Sequence, residues 1–164
     1  MLAEIWNRCN AVEECYEFLL AYAAQGLPSD QGSKSGGQVR EFLHRAVQAL
    51  AGLAETCATV VKEEGLEPAD KYMGFFAVLD RDARDALAAI ELVLAQPAIS
   101  SQLIDNLNAS IHLRALLTDL FLLSETVKTQ WSPARPMAFT PALSGKVTLP
   151  GYGDTGFQCG MVQK

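Results

Sequence analysis

The sequence predicts an all-α protein: an antiparallel four-helix bundle over residues 1–130, followed by an extended Pro/Gly-rich C-terminal arm over residues 131–164. Three observations carry that expectation. Apolar residues recur at alternating steps of three and four through four long stretches, the spacing that lays one stripe along a helix. Pro28, Pro68 and Pro97 stand between those stretches, where they interrupt a helix rather than continue it. Beyond Thr129 the periodicity stops, and Pro133, Pro136, Pro141 and Pro150 forbid its return.

The first helix is expected from about Leu2 to Gln25. Its stripe is Leu2, Ile5, Cys9, Val12, Tyr16, Leu19 and Ala23, and Gly26-Leu27-Pro28 ends it. The Ser- and Gly-rich segment from Pro28 to Gly37 reads as a flexible loop. Ser35-Gly-Gly-Gln38 has the form of a capping box, in which each side chain satisfies the other's orphan amide, and it opens a second helix that runs to Gly65. The stripe there is Val39, Leu43, Ala46, Leu50, Leu53, Cys57 and Val60. Pro68 suits the first turn of a third helix, with Tyr72, Phe76, Leu79, Ala83, Ala86, Ile90 and Val93 on its seam. The fourth, from about Ser100 to Lys128, keeps Ala109, Leu113, Leu116, Leu120, Leu123 and Val127 in register. Trp6, Phe18, Leu20, Phe75, Val78, Leu117, Phe121 and Leu122 fall off these seams. One four-helix core has difficulty hiding them all, so a homo-oligomer, or cover by the arm, is expected.

The charge excludes some functions and permits others. The chain carries −6 overall, and the arm holds Arg135, Lys146 and Lys164 against Asp154, so the arm is +2 and the remainder −8. An acidic helical body without clustered Lys/Arg argues against nucleic acid. No apolar run is long enough to span a bilayer, and Glu4 and Arg8 inside an amphipathic pattern do not resemble a secretory signal, so no membrane insertion is expected. The four cysteines, Cys9, Cys15, Cys57 and Cys159, show no metal-type spacing and suit a reduced, cytoplasmic protein.

The arm is too rich in large apolar groups to be composed like a disordered tail. Trp131, Phe139, Leu149, Tyr152 and Phe157 are the expected anchors on a protein partner or a second copy, because large aromatics in desolvated pockets dominate interface energy. Lys146 to Leu149 and Gly156 to Val162 have the makings of a short hairpin. Fully extended, the arm reaches on the order of 110 Å.

Candidate chemistry is sparse. Glu41-Phe-Leu-His44 is a single copy of a spacing that di-iron bundles use twice, and a surface pair of Glu41 with Arg45 explains it as well. His44, beside Arg40 and Arg45, is only a loose echo of a phosphotransfer helix. Asp105, His112 and Asp119 recur every seven residues along the fourth helix, with Asn108 one turn before the histidine. If that row faces the core it makes a buried polar network or a small site, with a histidine able to titrate near neutrality; if it faces water it is an ordinary wet edge. Asp80 with Arg84, and Arg81 with Asp85, form i,i+4 pairs on a solvated face. The Gly-rich stretch Gly151 to Gly156 lacks the strand-to-helix context of a phosphate loop. The expected function is therefore a non-enzymatic accessory or assembly subunit without a cofactor. The alternative is a helical bundle with a small-ligand or metal site near His112.

Overall fold

The computed structural model describes residues 2–130, with side chains over 3–128; the arm and its five anchors, Trp131, Phe139, Leu149, Tyr152 and Phe157, lie outside the described residues, as does the hairpin. Six α-helices make up the described chain, and it contains no strand. They are α1 (Leu2–Ala23), α2 (Lys34–Leu50), α3 (Leu53–Glu64), α4 (Ala69–Leu94), α5 (Ser101–Ala109) and α6 (Ile111–Gln130).

Two of the four expected helices are thus each broken once. The second breaks at Gly52, whose φ of 72° lies in the left-handed region that a side chain disfavours. The carbonyls exposed by this break are taken up by Arg8 of α1, whose Nη1 donates to Ala49 O at 3.1 Å and Ala51 O at 2.6 Å. A cation at a helix C-terminus satisfies both the orphan acceptors and the dipole. The fourth breaks at Ser110, which turns extended (ψ 132°) between Ala109 and Ile111. Serine tolerates that conformation at a helix start. The break resets the register, so Ala109, expected on the seam, is exposed, while Ile104 and Leu107 of α5 are buried.

The arrangement is bundle-like. α1 packs on α2, α3, α5 and more lightly on α6, and α4 packs on α2, α3, α5 and α6. Tyr72 Oη donates to Thr126 O at 3.3 Å, and Asp85 faces His112, so α4 and α6 run antiparallel. The predicted stripes form the core: Ile5, Cys9, Val12 and Leu19 meet Val39, Leu43, Cys57, Phe76, Leu79, Ile90, Leu116, Leu120 and Leu123, all buried. Several residues expected to point outward are absorbed as well. Phe18 stacks on Phe42 with ring centroids 4.2 Å apart, Leu117 is buried, and Trp6 and Phe75 pack against the core. Leu20, Val78, Phe121 and Leu122 remain exposed.

One end is tied by a polar knot. Asp30 Oδ2 accepts from Arg40 Nε at 2.6 Å, and Oδ1 accepts from the Ile99 amide at 2.8 Å. Arg40 also donates to Leu94 O (3.0 Å) and Gln96 O (2.9 Å), and so caps the C-terminus of α4. Tyr22 Oη donates to Ile99 O at 2.8 Å, and Ser101 Oγ donates to Tyr22 O at 2.6 Å. Leu27 and Ser101 exchange a further pair of hydrogen bonds. The segment read as a flexible loop is therefore pinned, because Asp30 is buried and fully engaged. The capping residue moves too. Ser33, not Ser35, accepts from the Gly36 amide at 2.9 Å, and Ser35 instead donates to Gln25 Oε1 at 2.7 Å.

Candidate functional site

The polar row expected on the fourth helix does not stay a row. Asp105 lies on α5, and the break at Ser110 separates it from His112 and Asp119 on α6. Asp105 and His112 are exposed, and Asp119 is half-buried. What the fold brings together is a different set, on the seam between α4 and α6. His112 Nδ1 lies 3.9 Å from Asp85 Oδ2, both about half exposed, which is the outer limit of an ion pair and holds only while the imidazole is protonated. Two turns further along α6, the Asp119 carboxyl faces Asp82 of α4. Asp119 Oδ2 is buried, and no N–H or fixed hydroxyl reaches it.

Two carboxyls meeting without a donor between them hold a proton more tightly than either alone. Burial, first, and then the hydrogen bond and charge of Asp82 push the Asp119 carboxyl up to about 6. A carboxyl raised in the folded state stabilises the fold most below its unfolded value, near 3.8, and that contribution is lost as pH rises through about 6. Asp119→Asn removes the titration. The melting temperature of the variant is expected to match wild type near pH 4 and to exceed it by a few degrees at pH 7.5, on the usual conversion of stability to Tm. A difference between the two proteins that does not change with pH rules out the shared proton.

The other charged candidates settle elsewhere. Arg84 pairs with Asp80 at 2.6 Å as expected, whereas Asp85 faces His112 rather than Arg81. Arg45 leaves Glu41 and reaches Glu14 of α1 at 2.8 Å, with its guanidinium over the Phe42 ring. His44 and Glu41 are exposed. Among the described residues no three of His, Cys, Asp and Glu gather closely enough to hold a metal ion.

A small crevice opens where α1, α3, α4 and α6 meet, lined by Trp6, Cys9, Cys57, Phe76, Leu123 and Val127 among others. Its lining is almost wholly apolar, and it lacks the convergent polar groups of a ligand site. Burial pushes the Cys9 and Cys57 thiols up to about 12, and the same holds for Cys15, so none is a thiolate at neutral pH.

Sequence reasoning did not find Asp30 or Arg8, since a lone charge in a polar loop or on a helix carries no periodic signal. Nor did it find Asp82 as the partner of Asp119; only the antiparallel pairing of α4 and α6 joins them. No known protein family, curated protein or solved structure matches this chain. No described helix is long and apolar enough to cross a membrane.

Proposed function

We propose that this chain is a non-enzymatic accessory or assembly subunit, cytoplasmic and working by protein–protein contact. Its helical body presents a surface to a protein partner or to a second copy, and residues 131–164 strap across that interface. The six helices are taken as a four-cornered bundle in which α2–α3 and α5–α6 are each one interrupted corner. The observation that carries the proposal is apolar surface left outside an already filled core. Ile111, Leu92, Phe121 and Leu122 are each more than half exposed, and Leu20, Val78 and Met73 are at least 40% exposed. Single exposed apolar residues are ordinary, but several large ones on α4 and α6 suit a contact surface.

The test uses the full chain with Trp131, Phe139, Leu149, Tyr152 and Phe157 all changed to alanine. Affinity capture from the native host, read by mass spectrometry, is expected to return a defined partner with wild type and to lose it with the variant. Helicity by circular dichroism is expected to remain. Equal capture by both proteins sinks the role of the arm. The second reading, a small-ligand or metal site near His112, is favoured by one observation, the Asp85 carboxylate 3.9 Å from the imidazole of that histidine. Stoichiometric metal in untagged protein, lost in His112→Ala, would decide for it.

A further inference from the structure

The outer side of α6 carries a second stripe: Ile111, Arg114, Thr118, Phe121, Leu122 and Glu125. Steps of three and four from Ile111 to Glu125 make it a heptad pattern, opposite the buried one of Leu113, Leu116, Leu120, Leu123 and Val127. All six residues are exposed. Thr118 turns its hydroxyl back onto the Arg114 carbonyl at 2.9 Å, so it offers chiefly its methyl outward. A helix with apolar spacing on two opposite faces has one face more than its own core uses.

We propose that this outer stripe is the contact between two copies of the chain, packed antiparallel about a two-fold axis between Asp119 and Leu120. The proposal rests on the self-association limb of the function given above, and it names the face. The stripe is complementary to itself under reversal. Arg114 and Glu125 each stand five and a half residues from that midpoint, about 8 Å along the helix. Each arginine therefore comes level with the glutamate of the other copy, and two reciprocal ion pairs close the ends of an isologous interface. Between them, Phe121 of each copy comes level with Thr118 of the other, one and a half residues from the midpoint, and Ile111 and Leu122 flank the contact.

Charge singles out this face further. The chain carries −6, so two copies repel over most of their surface, whereas Arg114 and Glu125 leave the stripe neutral. Arg114 makes no side-chain hydrogen bond or ion pair among the described residues, so its charge is free to pair across an interface. Glu125 holds Lys128 at 2.6 Å through Oε1, and a carboxylate has two oxygens with which to accept.

Sedimentation velocity of the full chain over a range of concentrations tests this. Wild type is expected to be a dimer. Arg114→Glu, which sets like charges opposite each other at both ends, is expected to weaken it at least tenfold. The double variant Arg114→Glu/Glu125→Arg restores opposite charges and is expected to recover most of the loss, with far-UV circular dichroism unchanged throughout. A wild-type chain that stays monomeric at all concentrations overturns the proposal. So does a dimer indifferent to Arg114→Glu, which would leave self-association standing but move it to another face. A monomer whose capture of a different protein is abolished by Arg114→Glu would assign the stripe to that protein and equally overturn the second copy as its occupant.

Discussion

Replacing Asp30 with alanine is expected to cost about 3 kcal/mol of stability at neutral pH, within the range for breaking a buried ion pair by removing one partner. The carboxylate is buried and receives two donors, the Arg40 Nε and the Ile99 amide. Without it the Ile99 amide, inside a buried hydrogen bond, loses its acceptor, which costs about 1–3 kcal/mol by itself. Arg40, about one-third exposed, recovers some solvation, and this keeps the total from going higher. Its hold on Leu94 O and Gln96 O then loses the anion that orients it, so the α4–α5 connection loosens as well. Asp30→Asn is expected to fall between, since an amide oxygen can still accept from Ile99 while the charge is lost. The pH dependence has a definite sign. Burial alone would raise the Asp30 carboxyl, but the Ile99 amide and Arg40 outweigh it and hold the group below its ordinary value. Its contribution is therefore present above the unfolded value of 3.8 and is lost as pH falls through the folded one. Urea unfolding of wild type and Asp30→Ala should differ most near pH 7 and converge in acid; a gap that is constant with pH refutes the charged role of Asp30.

The all-helical class was legible because it depends on periodicity, and periodicity survives small errors of boundary. Leu43, Leu79, Ile90, Leu116 and Leu120 were placed on seams by spacing alone, and all are fully buried. What escaped were features that depend on one residue meeting another far along the chain. The second helix is expected to run unbroken to Gly65, because nothing local says that Gly52 breaks it and that Arg8 waits to cap the carbonyls the break exposes. Ser110 likewise breaks the seven-residue register, so the spacing of Asp105, His112 and Asp119 describes a continuous helix that does not form. Asn108, one turn before the histidine in the expected helix, is buried with both ends of its amide unpartnered, an arrangement no pattern of polar and apolar letters encodes. Such a group costs about 1–3 kcal/mol. The fold accepts that cost one residue before the end of α5. The Asp82–Asp119 pairing escaped for the same reason, since it is tertiary; the five expected anchors lie outside the described residues.

Gly36→Ala is expected to be as damaging as the loss of Asp30, and through the same knot. Gly36 lies in the first turn of α2, where alanine is ordinarily the better helix former by about 1 kcal/mol. Propensity alone therefore predicts stabilisation. The surroundings reverse that sign: a Cβ at this position would stand 1.8 Å from Asp30 O and 2.5 Å from Asp30 C, both backbone atoms. A flexible side chain can turn away from such an overlap, but a carbonyl moves only if its whole segment moves. Displacing that segment carries the Asp30 carboxylate away from Arg40 and the Ile99 amide, and pulls the Ser33 cap from the start of α2. Overpacking itself costs about 1–3 kcal/mol, and the lost hydrogen bonds bring the total to roughly 3 kcal/mol or more. For a fold of this size that is a fall of roughly 10 °C in Tm. Because both substitutions act on one network, their effects should not add. Asp30→Ala/Gly36→Ala is expected to lose clearly less stability than the two single losses together. Strict additivity in that cycle would mean that Gly36 is required for a contact other than the approach of Asp30, and would separate the helix start from the knot that the structure joins to it.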